Sequence, residues 1–364
     1  MSTDTLMHSA RSEIQGFKGG FISPGDASYD EARAVYNAMI DRRPALIARA
    51  ADAQDVAAVV SFAAAHDLLL AVRGAGHNGA GLGTVDNGIV LTLGGLKSIE
   101  VDPGARTVRV GGGCTWGEVD AATGAHGLAT PSGIISTTGV GGLTLGGGLG
   151  HLTRKCGLTI DNLLEAEVVL ASGETVTAGA TENPDLFWAL RGGGGNFGVV
   201  TSLIFQLHPA KMVFAGPIAW DQKHARTIMQ RYREVLPKAP EELGAFVGLK
   251  KIPSSAPFPQ EIWGKHICLL MSCYNGAEAD GKKALAPLLE GLPEPFFNWM
   301  GTMPYPAVQS MFDGLYPKGM QWYWRGDFVK TLPDAAIDAH LEQAAKTPSE
   351  VSLMHLYPID GAVH

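Results

Sequence analysis

The residues best placed to do chemistry are Arg73-Gly74-Ala75-Gly76-His77-Asn78-Gly79. They follow the apolar run Leu68 to Val72, which reads as a buried strand. A strand running into residues without side chains brings main-chain N–H groups close to an anionic ligand. A histidine inside that loop puts a nucleophilic ring nitrogen where a phosphate-bearing cofactor would lie. Gly74, Gly76 and Gly79 also spell G-x-G-x-x-G, but a nicotinamide-dinucleotide fold needs a helix to begin there. The continuation, Ala80 to Gly88, holds further glycines and no apolar period of 3.6, so it reads as a loop and argues against that fold.

Three more glycine-rich segments follow in order. They are Gly111-Gly112-Gly113-Cys114, the run from Pro131 to Gly150 with Gly139-Val140-Gly141-Gly142 at its centre, and Arg191-Gly192-Gly193-Gly194-Gly195-Asn196-Phe197-Gly198-Val199-Val200-Thr201. Of the 47 glycines in the chain, 31 fall between Gly74 and Gly198, 4 before and 12 after. No G-X-Y period exists, so collagen is excluded. Strand-like runs between the glycines argue for a folded domain with many close backbone approaches to a large ligand.

The segments R-G-A-G-H-N, G-V-G-G-L-T-L-G-G-G, R-K-C-G-L-T-I-D-N-L-L and R-G-G-G-G-N-F-G-V-V-T together resemble the FAD-linked oxidases of the vanillyl-alcohol-oxidase (PCMH-type) family, in the berberine-bridge-enzyme-like branch. The resemblance is close over residues 40–210 and looser beyond, through Trp322-Tyr323-Trp324-Arg325. It implies FAD as cofactor, with Arg73, Gly74, Ala75, Gly76, His77, Asn78 and Gly79 around the pyrophosphate. It implies a covalent bond from His77 to the flavin 8α-methyl. Ile135 stands where some relatives carry a second, cysteinyl attachment, so one bond is expected. Gly139, Gly141 and Gly142 would line the cofactor, with Asp161 and Asn162 nearby and Val200 towards the adenine or ribitol. Tyr323 and Arg325 would touch substrate as the catalytic candidates; Lys250, Tyr305 and Tyr316 are weaker ones. Cys156 stands where relatives carry Tyr. It reads as a small buried residue rather than a reactive thiol.

The elements that must position these residues are short. Asp52 to His66 reads as a helix with Val56, Val59, Val60 and Ala63 on one face and Asp52 as N-cap. Ser98 to Val101 with Thr107 to Val110, and Ala166 to Leu170 with Thr175 to Thr177, read as hairpins. Val199 to Leu207 alternates as a half-buried strand. Past His208-Pro209 glycines thin out, and strands near Met212 to Trp220, Ala245 to Lys250, Ile262 to Ser272, Gln321 to Val329 and Val351 to Tyr357 alternate with helices. The fold expected is α+β: a two-subdomain FAD-binding domain over 1–210, then a substrate domain with an antiparallel sheet over 211–364. Because relatives run further, the resemblance implies an apparent C-terminal truncation that would impair catalysis, and a non-catalytic flavin binder is the alternative.

Composition narrows the class. Hydrophobic residues are 46% and charged residues 18%, as in folded proteins. Net charge of −8 disfavours nucleic acid or an anionic membrane as partner. Four cysteines without a CxxC pair disfavour a disulfide framework or a metal site. No leader or membrane span is visible, so a cytoplasmic location is the default. The partners expected are a small-molecule substrate and dioxygen or another electron acceptor. Flavin dehydrogenase or reductase chemistry on the same fold stays open, as does the oligomeric state.

Overall fold

A computed structural model describes residues 3–363. They form two compact units: residues 3–149, 158–208 and 309–324 make the first, and residues 150–157, 209–308 and 325–363 the second. Two stretches thus lie across a single cut near residue 210, because 150–157 packs with the second unit and 309–324 with the first.

The first unit carries two sheets. One has the order Gly20–Ile22, Leu46–Arg49, Ile89–Thr92, Leu70–Arg73, parallel except at its first pair. Helix Ala53–Ala65 covers it, capped by Asp52, whose carboxylate accepts the Asp55 N–H. Val56, Val59, Phe62 and Ala63 recur at helical spacing and pack with Leu46, Ile89 and Leu91. The second sheet is antiparallel, in the order Ile99–Asp102, Thr107–Gly111, Val199–Gln206, Leu163–Val169, Thr175–Gly179. Both expected hairpins are present. Its core holds Val108, Val110, Trp116, Val168, Leu203 and Phe205.

The second unit is an antiparallel sheet in the order Phe297–Asn298, Met212–Asp221, His266–Tyr274, Leu243–Lys251, Leu353–Leu356. Helix Ala225–Val235 buries Ala225, Ile228, Met229 and Tyr232, the i, i+3, i+4, i+7 stripe of an amphipathic helix. Tyr232 donates to the Ala245 carbonyl at 3.1 Å. These residues share one core with Leu243, Val247, Leu285 and Ile337.

One expected strand is missing. Gln321 to Val329 has no regular structure. The reason is local: the Asn37 side chain meets both main-chain groups of Trp322, accepting from its N–H at 2.9 Å and donating to its C=O at 2.7 Å. A side-chain amide replaces the ladder partner a strand would need.

Candidate functional site

The site is built entirely within the first unit. Strand Leu70–Arg73 ends in a loop, and Gly76 adopts φ +76° to let it turn. No helix forms between Gly74 and Gly88. The glycine segments converge on one another. A side chain on Gly139 would strike the Ala75 nitrogen at 2.8 Å, Gly112 donates to the Thr201 carbonyl at 2.8 Å, and the Val140 N–H reaches the Cys114 carbonyl at 3.0 Å.

The glycines divide into two groups by what surrounds them. A Cβ on Gly111, Gly112, Gly113 or Gly198 would collide with backbone of the same unit at 1.8–2.6 Å, so packing alone demands glycine there. Gly79 is covered by the Trp324 ring at 2.8 Å. Gly142 would meet nothing within 4 Å, and Gly74 and Gly141 would meet only the Gly112 carbonyl, at 3.6 and 3.8 Å. Protein packing gives no reason for glycine at these three positions. A bare main-chain surface with room above it fits a large ligand carrying a pyrophosphate, as FAD does.

His77 stands at the edge of this surface. Its ring stacks on Tyr36 with centroids 4.0 Å apart, and Nε2 lies 3.1 Å from the Thr137 hydroxyl. Burial pulls the imidazole down to about 4, against opposing pulls from the Thr137 main chain and the Asp313 charge, so the ring is neutral at physiological pH. A neutral ring keeps the lone pair that a nucleophile needs.

The stretch 309–324 closes around this ring. Tyr36 donates its hydroxyl to the Tyr316 carbonyl and its N–H to Gly76 at 3.1 Å. Asp313 accepts from the Ser136 N–H at 2.9 Å and from its hydroxyl at 2.5 Å. Trp322 and Trp324 stack 5.8 Å apart, and both lie within 6.3 Å of Tyr36. The stretch begins at Gln309, whose amide donates to Ser132 at 2.5 Å and to the buried Asp120 at 3.4 Å. Burial pushes Asp120 up to about 7.

The other expected residues are placed as follows. Arg73 is buried and donates to the Ala32 and Arg33 carbonyls, at 2.5 and 3.3 Å, so its side chain holds the N-terminal segment. Asn78 accepts the Leu82 N–H at 3.0 Å and shapes the loop. Asp161 accepts from Leu158 N–H and Arg191, and Asn162 bonds the Leu158 carbonyl and His208; both side chains are engaged beside the 147–148 turn. Val200 packs in the core, and its carbonyl backs Gly112. Tyr323 is 79% exposed and stays out of the ring stack; Arg325 is exposed and lies in the second unit. In that unit Cys156 is a thiol pushed up to about 11 by burial, which makes it a poor nucleophile. Sequence reasoning missed Tyr36, Thr137 and Asp313. Only Thr137 carried a signal, two residues ahead of Gly139.

No group of three or more metal-ligating side chains gathers among the described residues. No helix among them is long and apolar enough to cross a membrane.

Fold and site together define a flavin-dinucleotide-binding protein. The FAD binding domain family matches residues 44–179. An FAD-linked oxidoreductase of Dictyostelium discoideum is 35% identical over 332 residues, covering 90% of this chain and 70% of that protein. The (R)-6-hydroxynicotine oxidase of Paenarthrobacter nicotinovorans is 42% identical over 205 residues, which is 56% of this chain and 44% of the relative. A solved BBE-like protein of Arabidopsis thaliana superposes with a TM-score of 0.79 at 27% identity, over 96% of this chain and 74% of that one. The chain belongs to the FAD-linked oxidoreductases, in the berberine-bridge-enzyme-like branch. It is an FAD-dependent oxidoreductase, and the non-catalytic reading is not favoured.

Proposed function

We propose that this chain holds FAD through the bare faces of Gly74, Gly141 and Gly142 and bonds it covalently through His77, to oxidise a small molecule at a carbon bearing an alcohol or amine. The observation that carries the reading is the neutral His77 imidazole set beside glycines that packing does not explain. Bound flavin supplies the capacity to accept a hydride and pass two electrons on, here to dioxygen. The chain's own residues orient and exclude. Tyr36 fixes the plane of the His77 ring, while Trp322 and Trp324 keep water from the Tyr36 side of the stack. Main-chain N–H groups of the 74–79 and 139–142 segments would meet the phosphates. Tyr323, next to Trp324, is the residue assigned to substrate contact, with Arg325 following it. The nicotine-derived substrate named for one relative favours an amine-bearing or hydroxylated ring compound among the candidates.

The test is an acid precipitation of the purified, flavin-loaded chain. Yellow colour should stay with the pellet, and His77→Ala should release all of it into the supernatant. Flavin lost from the wild-type pellet would end the covalent reading. Peroxide formed in equal amount to oxidised substrate under air would identify dioxygen as the acceptor; less would point to another.

A further inference from the structure

We infer that the second unit binds the carboxylate of a planar ring compound, in a hollow over Gly248 bordered by Lys250, His355 and Tyr357. The inference rests on the function proposed above only in making that ligand the substrate. Strand Leu243–Lys251 alternates between two faces. Ala245, Val247 and Leu249 enter the core they share with helix Ala225–Val235. Gly244, Phe246, Gly248 and Lys250 lie on the opposite face. A Cβ on Gly244 would strike the His151 carbonyl at 2.3 Å, so packing demands glycine there. A Cβ on Gly248 would make only ordinary contacts, with Leu353, Leu269 and His355 at 3.4–3.7 Å. Glycine weakens a strand interior, and one that packing does not require leaves room for a close approach.

Gly248 pairs with His355 across the sheet, and Lys250 pairs with Leu353. The buried Phe246 ring lies 4.8 Å from Tyr357, 5.5 Å from His355 and 6.0 Å from His151. His355 and Tyr357 are half-buried, so the cluster has a buried floor and a wetter rim. Aromatic and aliphatic walls of this kind suit a flat ring. Lys250 supplies the charge. Burial pulls its amine down to about 8, against the upward pull of Glu350. The Glu350 carboxylate is turned to Ser254, accepting from its N–H at 2.9 Å and its hydroxyl at 2.5 Å. Burial and then Lys250 pull His355 down to about 4, so that ring is neutral beside the amine. On the other neighbouring strand Lys250 faces the apolar Ile267. A desolvated ammonium gains from an incoming carboxylate. The Tyr357 hydroxyl lies 2.9 Å from His355 Nδ1. Hydroxyl and neutral ring carry two protons between them: one makes this bond, and the other is a donor suited to a carboxylate oxygen.

The test is calorimetric titration of the full chain with benzoate and with its neutral isostere benzamide. Benzoate should bind about tenfold more tightly, as a charged hydrogen-bonded pair does. At about pH 8.5 its binding should take up a fraction of a proton, read from the heats in two buffers of different ionisation enthalpy, because the carboxylate restores the proton on Lys250. At about pH 7 that uptake should nearly vanish. Lys250→Met should erase both the preference and the uptake and leave benzamide binding unchanged. Gly248→Val should fill the hollow and weaken both ligands about tenfold, with the far-ultraviolet dichroism unchanged. Equal affinity of the wild type for the two ligands, benzoate binding without proton uptake at the higher pH, or full affinity in folded Gly248→Val would each overturn the inference. Flavin lost from the acid pellet while benzoate still binds would sink the covalent reading and leave this site standing; retained flavin with no benzoate binding would do the reverse.

Discussion

The two compact units treat exposed backbone in opposite ways. In the second, Arg154 is buried with its guanidinium spread over main chain, donating to the carbonyls of Leu236, Ala239, Pro240 and Leu243 at 2.6–3.3 Å and to Asp360 at 2.7 Å. Side-chain donors there complete the polar accounting of the fold itself. In the first unit, a Cβ on Gly142 would meet nothing within 4 Å, and one on Gly74 or Gly141 only the Gly112 carbonyl, so main chain there is left bare. A backbone satisfied by side chains serves stability, and a backbone kept bare is open to a ligand.

That contrast can be broken at three places, in falling order of effect. Arg154→Leu removes the guanidinium from four carbonyls, of which Leu236 and Pro240 keep a main-chain N–H partner, and from the Asp360 carboxylate. It should cost about 3–5 kcal/mol, read by chemical unfolding of the second unit, because groups that lose a buried charged partner bear the full desolvation penalty. Flavin bound by protein that remains folded should be unchanged; a weak effect on unfolding would mean that Arg154 is ornamental.

Asp120 gives a pH signature to the first unit. Its folded value of about 7 lies above the carboxylate's unfolded value, so between them the folded state binds more protons. Stability should therefore be greatest below about pH 4 as far as this group is concerned and fall as pH rises to about 7, by roughly 2–4 kcal/mol. Asp120→Asn should flatten the slope in denaturant titrations at pH 5 and 8. An equally steep slope in the variant would assign it to another group.

Gly142→Val sharpens the contrast most finely. The Cβ of the added side chain has no protein atom within 4 Å beyond its own helix backbone and chain neighbours, so the melting temperature of the apo chain should hold or rise slightly. FAD affinity should drop about tenfold, or ~1.4 kcal/mol, by fluorescence titration. A variant that binds FAD as tightly as wild type would show that the bare face is not the cofactor's.

Much of the first unit was legible because its signals are local. Asp52 caps the helix its position announces, and both hairpins form where turn residues interrupt alternating strands. The glycine loop after Leu70–Arg73 is a loop, as its missing helical period required. The strand assigned to Gln321 to Val329 failed because its partner is not a strand but the Asn37 amide, 285 residues away along the chain. No window of sequence contains both.

The order and spacing of four glycine segments made the FAD-binding family legible by resemblance and put His77 forward as the candidate attachment residue, since glycine's freedom at φ > 0 and lack of a Cβ are written in single letters. Only the tertiary structure separated the glycines that packing demands from those that it does not. It alone brought Tyr36, Thr137 and Asp313 to His77. The physical reason is that a neighbour's distance, a ring's burial and a tautomer's partner are properties of chain segments that meet in space, and they leave no period or spacing behind.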